Sequence, residues 1–447
     1  MPQTANSPLI SLRSGPLSGS VSVPGDKSIS HRALMLGALA SGRTRISGLL
    51  EGEDVLNTGR GLAAMGCPVH RLGGAWEVLG RGVGGLAQPE GPLDFGNSGT
   101  GVRLMMGLVA GNDILVRLVG DASLSRRPMG RVLDPLVRMG VEVPDGARTL
   151  PLSLRGTSDL LPIEYQPPVA SAQIKSAILL AGLHASGATS VIEPEATRDH
   201  TERMVRYFGG EVTIGERDGK RLITVRGNAE LEGRSVEVPG DPSSAAFLAA
   251  AALMVPRSEI CIKGVLVNPT RTGFYTTLRE MGADLVFQNE REQGGEPVAD
   301  ITVRHAKLNG VRVPPERAPS MIDEYPILAC LAAYATGETH MAGLAELKVK
   351  ESDRLAATLA GLKANGVRAS ADGDTLCVAG GRSVPGGGTV ETHLDHRIAM
   401  AFLTLGLAAD RPVTVDDAGI IATSFPEFRG LMHGLGARFA APEDIRG

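Results

Sequence analysis

Aromatic residues are scarce in this 447-residue chain: one Trp, five Tyr and nine Phe. That scarcity removes the stacking platform on which single-stranded nucleic acids are held. A net charge of −4 likewise removes the electrostatic footprint of a general nucleic-acid binder. Cysteine is almost as rare. Cys67, Cys261, Cys330 and Cys377 stand far apart, with no pair at metal-ligand spacing. They read as reduced, mostly buried thiols of a cytoplasmic protein. The nine histidines include neither H-x-x-x-H nor H-E-x-x-H, so no metal site is expected, and His393 and His396 read as local hydrogen-bonding groups. No apolar run could span a bilayer, "LAAAALMV" being too short. "MPQTANSPLI" has neither a basic segment nor a long apolar run, so no secretion signal is expected. The phosphate-binding patterns G-x-x-x-x-G-K-[ST] and strand-G-x-G-x-x-G are also missing.

What is present is small and aliphatic. Apolar residues make up 43% of the chain and glycine numbers 58. The length predicts at least two domains. Two series of markers repeat along the chain. One is a glycine after an amphipathic segment and before a strand-like V-x-V, at Gly66, Gly140, Gly209, Gly282, Gly366 and Gly436, spaced by 74, 69, 73, 84 and 70 residues. A glycine in that place reads as a left-handed helix C-cap. The other is a small or polar residue opening an Ala/Leu-rich segment, at Asp26, Asn97, Ser171, Asp241, Asp323 and Asp395, spaced by 71, 74, 70, 82 and 72. Each opening precedes its glycine by 38 to 43 residues. Two independent markers with one rhythm predict six repeats of helix, strand, helix, strand, strand. The hairpins show in "CPVHRLGGAWEVLG" and "VRASADGDTLCVAG". The sixth repeat stops at "ARFAAPEDIRG" without its last strand, and the N-terminal "PLISLRS" could supply it.

The repeats divide as three plus three. "SVSVPGD" at Ser20 and "SVEVPGD" at Ser235 open the first and fourth. The expected organisation is one domain of residues 21–235 and another of 236–447 completed by 1–20, with a two-strand hinge near 20–23 and 235–239. The Ala-rich helices are apolar nearly all round, as buried helices are, and their polar residues gather at the N-terminal ends. These include Lys27, Ser28 and Arg32; Asn97, Gly99 and Thr100; Ser171, Gln173 and Lys175; Asp323 and Glu324; His393, Asp395, His396 and Arg397. The second helices add Arg126, Arg127, Arg198, Arg271, Lys350, Glu351 and Arg354. A helix N-terminus presents unpaired N–H donors and a positive dipole end, so cations there are unfavourable unless an anion lies between. A cleft for a substrate with several negative groups follows. Plainer readings compete at single positions. Asp26, Asp241, Ser171 and Thr270 read as N-caps. Arg43, Arg138 and Arg271 read as solvated surface charges. Asp323 and Glu324 are open to two readings, as dipole-favoured caps or as a general base facing cations.

At these residues the chain resembles the 5-enolpyruvylshikimate-3-phosphate (EPSP) synthase family of enolpyruvyl transferases. The carriers are "PGDKSISHR", "GDASLSRRPMGR", "ASAQIKSA", "PSMIDEYP", "VKESDR", "LDHRIAM" and "ATSFPEF", in the family's order and over nearly the whole chain. The resemblance implies an α/β protein of two similar domains, each of three βαβαββ units with buried parallel helices, an inside-out α/β barrel with its site in a hinged cleft. It implies transfer of the enolpyruvyl group of phosphoenolpyruvate to the 5-hydroxyl of shikimate 3-phosphate, without metal or organic cofactor, in the shikimate route to aromatic amino acids. Carried over by motif, Lys27 contacts both substrates and assists proton transfer. Ser28, Arg32, Ser171, Ala172, Gln173 and Arg198 hold shikimate 3-phosphate. Asp323 takes the hydroxyl proton, and Glu351 protonates the methylene carbon. Asn97, Gly99, Arg127, Lys350, Arg354 and Arg397 belong to the substrate-binding set, with all but Asn97 around phosphoenolpyruvate. A cytoplasmic monomer without nucleic-acid or membrane partner is implied. Two departures stand out. Thr423 occupies a place where many members carry Lys, and Gly99 stands where the glyphosate-tolerant branch, which the chain otherwise resembles, carries Ala, which implies sensitivity to glyphosate. Two other readings remain at this stage. One is the sister transferase acting on UDP-N-acetylglucosamine, disfavoured because no Cys lies between Cys67 and Cys261 to serve as its reactive thiol. The other is a non-catalytic anion-binding repeat protein, disfavoured by the intact Asp323 and Glu351.

Overall fold

The computed structural model describes residues 7–381 and 383–445. Residues 1–6 of the expected 1–20 segment, and Arg446 and Gly447 at the end of 236–447, lie outside the described residues. The chain divides into two compact domains. The N-terminal domain comprises residues 25–239 with 292–296, and the C-terminal domain comprises residues up to 24 with 240–291 and 297 onward. The two boundaries nearest the duplicated motifs fall after Pro24 and after Pro239.

Each repeat is built round one mixed sheet, and the six described sheets follow one scheme. The strand after the Ala-rich helix is central. It pairs antiparallel with the second strand of the following hairpin and parallel with a short strand, which in the second, third, fifth and sixth repeats comes from just before the helix and in the first comes from Leu231–Glu232 and Ser235–Glu237. In the fourth repeat Glu259–Leu266 pairs antiparallel with Glu296–Arg304 and parallel with Ser18–Ser22. In the fifth, Glu338–Met341 pairs the same way with Thr375–Ala379 and Arg312–Val313. The sixth repeat has Leu9–Leu12 in the hairpin position, antiparallel to both Val413–Val415 and Arg438–Ala440. The second repeat has a thinner sheet. Its outer hairpin strand is reduced to one bridge, Glu142 to Arg155, in a stretch where Pro144 and Pro151 cannot donate to a ladder.

Six apolar helices lie beneath these sheets: α1 (Lys27–Leu39), α2 (Gly99–Val109), α3 (Ala172–Gly182), α4 (Pro242–Met254), α5 (Tyr325–Ala332) and α6 (His396–Gly406). Every residue of α4, α5 and α6 is buried. In the C-terminal domain these three pack on one another, and in the N-terminal domain α2 packs against α3 and more lightly against α1. With few aromatics to fill space, the helices meet through Gly and Ala. A Cβ at Gly107 would lie 2.3 Å from the carbonyl oxygen of Ala177. Amphipathic helices follow on the outside, including Glu53–Ala64, His200–Tyr207 and Arg354–Ala364. The six series glycines come after the outer helices, all at positive φ, from 75° at Gly366 to 109° at Gly140 and Gly436.

The helix openings follow the second series with two corrections. Asp26, Ser171, Asp241 and Asp395 each accept a backbone N–H as N-caps, from Ile29, Ile174, Ser243 and Arg397. In the second repeat the cap is Ser98, one residue past Asn97. In the fifth, Glu324 occupies the cap position but makes no capping bond. The hydroxyl of Ser243 donates to its carboxylate instead. Thr270 is not a cap either: Asn268 accepts its N–H and hydroxyl at 2.9 and 2.8 Å.

Because the close approach at Gly107 is to backbone, no side chain can turn aside to admit a methyl group. Gly107→Ala is expected to destabilise the N-terminal domain by about 1–3 kcal/mol. A shift of the urea unfolding midpoint to lower concentration checks this, and an unchanged midpoint would contradict the packing described.

Candidate active site

The mouth of α1 carries the first group. Its cap Asp26 is fully buried, and Lys27, the first helical residue, forms an ion pair with Asp54. One turn on, Arg32 is buried. Among the described residues its hydrogen bonds go to neutral oxygens: Thr201 Oγ1 at 2.7 Å, Ser176 Oγ at 2.6 Å and the Ser28 carbonyl at 2.9 Å. Burial pushes the Arg32 pKa down to about 10, with Glu202 and Asp26 opposing that shift and Arg198 adding to it. At neutral pH Arg32 is therefore a dehydrated cation beside a helix N-terminus, and a second cation stands near. That combination suits an anion.

The mouths of α2 and α3 carry the second group. Arg127 follows the short helix Ala122–Arg126 and is buried. Its Nη2 donates to Asn97 Oδ1 at 2.5 Å and to Ser123 Oγ at 3.3 Å, while Asn97 donates to Asp121 at 2.7 Å. Gly99 lies under this guanidinium: a Cβ there would be 2.8 Å from Arg127 Nη1. Ser171 caps α3, Ala172 opens it and Gln173 follows, all three half-buried. Gln173 accepts from Arg103 at 2.6 Å and donates to Thr100 at 2.9 Å.

The C-terminal domain gathers Asp323, Glu351 and Asp395 on one guanidinium. Arg354 opens an outer helix and is 1% exposed. Its Nε and Nη2 lie 2.7 and 3.3 Å from the two Asp395 oxygens, Nη1 lies 3.0 Å from Asp323 Oδ1, and Nη2 lies 2.5 Å from Glu351 Oε2. Burial alone would lower the Arg354 pKa. The charges of Asp395, Glu351 and Asp323 outweigh it and raise the pKa above the ordinary guanidinium value. Asp323 also lies 3.7 Å from Lys350 Nζ and 3.9 Å from Arg397 Nε. Asp323 and Glu351 thus share one cation with Asp395, and two further cations stand beside Asp323. That can accept a proton at one carboxylate, donate one at the other and hold an anionic substrate.

Several expectations need correcting. Lys175 is not at a cleft: it is buried in ion pairs with Glu193 at 2.8 Å and Glu202 at 2.7 Å. Arg271 is not a solvated charge. It is 2% exposed, with Nη2 3.3 Å from Asp241 and 3.0 Å from Ser243 Oγ. Arg43 and Arg138 are exposed. Cys67 and Cys330 are buried, but Cys261 and Cys377 are only half-buried. His396 Nδ1 lies 3.4 Å from the hydroxyl of Thr423. The residues that sequence reading missed are mostly the holders. Asp54 pairs with Lys27, Ser176 and Thr201 fix Arg32, and Arg103 fixes Gln173. The available signal was spacing: Arg103 and Ser176 follow the named Gly99 and Gln173 by four and three positions on a helix.

His31 is fully buried, with Nδ1 2.8 Å from Thr58 Oγ1. Burial, then the charges of Lys27 and Arg32, hold its pKa well below 6.5. The folded protein keeps His31 neutral where the unfolded chain takes up a proton, so stability falls as pH drops below about 6.5. In His31→Gln the decline of unfolding free energy between about pH 6.5 and 5 should be shallower by up to one proton, about 1.4 kcal/mol per pH unit. Denaturation curves over that range check this, and an unchanged slope would show that His31 titrates normally.

Comparison with known proteins agrees with this arrangement. Residues 12–432 match the family described as EPSP synthase (3-phosphoshikimate 1-carboxyvinyltransferase). A 3-phosphoshikimate 1-carboxyvinyltransferase of Parvibaculum lavamentivorans is 60% identical over 433 residues, covering 95% of each chain. One of Methylorubrum extorquens is 59% identical over 439 residues, covering 96% of this chain and 97% of that protein. Among solved structures, EPSP synthase of Acinetobacter baumannii matches with a TM-score of 0.86 and 42% identity, covering 97% of this chain and 99% of that one. The enolpyruvyl transferase NikO of Streptomyces tendae, at 21% identity and a TM-score of 0.75, shares the fold. The chain belongs to the EPSP synthase (3-phosphoshikimate 1-carboxyvinyltransferase) family.

Proposed function

We propose that the protein transfers the enolpyruvyl group of phosphoenolpyruvate to the 5-hydroxyl of shikimate 3-phosphate and releases phosphate. The observation that carries this reading is the pair Asp323 and Glu351 on Arg354, with Lys350 and Arg397 beside Asp323. The hydroxyl oxygen attacks C2 of phosphoenolpyruvate as Asp323 accepts its proton. Glu351, assisted by Lys27, delivers a proton to C3. The tetrahedral intermediate then loses phosphate, and a proton leaves C3 to restore the double bond. Lys350, Arg354, Arg397, Arg127 and Gly99 surround phosphoenolpyruvate, and their positive charge stabilises phosphate as it departs. Ser28, Arg32, Ser171, Ala172, Gln173 and Arg198 hold shikimate 3-phosphate. Arg32 supports that role because it is buried against neutral oxygens and suited to a phosphate. No helix is long and apolar enough to cross a membrane among the described residues, and the reading takes the enzyme to be a cytoplasmic monomer. The relatives' names favour it over transfer to UDP-N-acetylglucosamine.

Phosphate release from phosphoenolpyruvate in the presence of shikimate 3-phosphate tests the proposal. Asp323→Asn and Glu351→Gln should each lower the rate by about 10²- to 10⁴-fold. Wild-type silence with this substrate pair, or full turnover in both variants, would reject the mechanism.

Gly99 lies under Arg127, and we propose that the space it leaves admits glyphosate, which is longer than phosphoenolpyruvate. An added methyl group meets the far end of the Arg127 side chain rather than backbone, so the variant still folds while the pocket shortens. Gly99→Ala should raise the half-inhibiting glyphosate concentration by about tenfold or more. An inhibition curve that does not move would rule this out.

A further inference from the structure

Glu338, His340 and Cys377, none of them among the proposed catalytic residues, meet on one sheet of the C-terminal domain. Glu338–Met341 and Thr375–Ala379 are antiparallel neighbours, with His340 directly opposite Cys377. Residues two apart on a strand share a face, as do directly opposed residues, so all three side chains stand on the same side. Thr339, between the first two, is fully buried on the other side. Glu338 is exposed, while His340 and Cys377 are half-buried, so the trio is open to solvent.

The spacing of the donor atoms is informative. His340 Nε2 lies 3.8 Å from Cys377 Sγ and 3.3 Å from Glu338 Oε2. All three donor atoms lie within 4.8 Å of one another. A tetrahedral zinc ion at its usual bond lengths separates a sulfur and a nitrogen ligand by about 3.6 Å, and a nitrogen and an oxygen ligand by about 3.4 Å. The side chains therefore stand close to the spacing of ligands on one ion without rearrangement of the backbone. Charge also fits, since a divalent ion would meet a carboxylate, a thiolate and a neutral imidazole. One cation stands near. Arg312 is on the strand that flanks His340 from the other side. Burial, then Glu338, raise the Cys377 pKa, and Arg312 opposes them. A second trio, Asp199, His200 and Glu296, has similar proximity. There the guanidinium of Arg203 already serves as the cation, 2.9 Å from Asp199 and 3.7 Å from Glu296.

We propose that Glu338, His340 and Cys377 form a surface site for a thiophilic divalent transition-metal ion of the zinc and cobalt(II) kind, with water as the fourth ligand. On binding, the Cys377 thiol gives its proton to solvent, and the thiolate sulfur, imidazole Nε2 and carboxylate oxygen each donate an electron pair to the ion. No group is oxidised or reduced. The bound ion links two strands of the fifth repeat and therefore stabilises the folded form. The pattern escapes sequence search because its ligands come from strands 37 residues apart.

Cobalt(II) titration of the full-length protein under reducing conditions tests this, followed by the thiolate-to-cobalt charge-transfer absorbance. One equivalent should bind with that absorbance. Cys377→Ser should lose it, His340→Ala should weaken binding by more than about tenfold, and Cys261→Ser should leave it intact. Zinc should raise the melting temperature of the wild type but not of Cys377→Ser, while turnover is unchanged by Cys377→Ser. Absence of the absorbance, its survival in Cys377→Ser, or uptake of several equivalents unaffected by His340→Ala would each overturn the site.

Discussion

Taking a guanidinium out of water costs several kcal/mol unless charge or hydrogen bonds replace the lost hydration. This protein does so repeatedly at helix ends. Arg32, Arg127, Arg271 and Arg354 are all buried, and the way each is compensated separates scaffold from site. Arg271 is held by Asp241 and Ser243. Arg354 has three carboxylates around it, and two of those are the acids to which the proposed mechanism assigns the proton transfers. Arg32 is bonded to neutral oxygens, and burial lowers its pKa despite the charges of Glu202 and Asp26 nearby.

The helices can bring such groups together only because they are themselves nearly featureless. Beyond their opening turns, α1 from Ala33 to Leu39 and α4 from Ala245 to Met254 are buried and wholly apolar, giving walls with no competing polar side chain. Gly and Ala allow close contact, as at Gly107 against Ala177. The chemistry is therefore confined to the helix mouths, where backbone N–H groups are unpaired. Aromatic scarcity and the concentration of polar residues at helix openings are two consequences of one packing scheme.

Local features were legible in the sequence because they rest on local physics. The six glycines adopt positive φ, and the caps Asp26, Ser171, Asp241 and Asp395 bond within three residues. Features that depend on partners from another element were not legible. Arg271 looked solvated because Asp241 is 30 positions away. Lys175 looked like a ligand group because Glu193 and Glu202 come from a different strand and helix. Asp323 and Glu324 share a helix mouth, yet Asp323 faces Arg354 while Glu324 accepts from Ser243. Adjacent acids in one motif thus serve different partners, which spacing alone cannot separate.

The duplicated S-V-x-V-P-G-D motif shows how one backbone carries two outcomes. Asp26 and Asp241 are both buried N-caps with nearly the same backbone angles, −56°, 125° and −69°, 119°. Their own N–H groups are used reciprocally. Asp26 donates to the carbonyl of Pro239 at 2.7 Å, and Asp241 donates to that of Pro24 at 2.9 Å. The difference begins at the next residue. Lys27 places a cation at the mouth of α1, whereas Pro242 has neither N–H nor charge to offer at α4. At α4 the cation comes from Arg271, which bonds the cap itself and Ser243, and Ser243 bonds Glu324. That mouth is filled by its own salt bridge. At α1 the cap bonds the helix, Lys27 pairs outward with Asp54, and Arg32 is left facing neutral oxygens. One cap-following residue, and a guanidinium drawn from within the helix rather than from a neighbour, thus separate the salt-bridged corner at α4 from the α1 mouth to which the proposed mechanism assigns an anion.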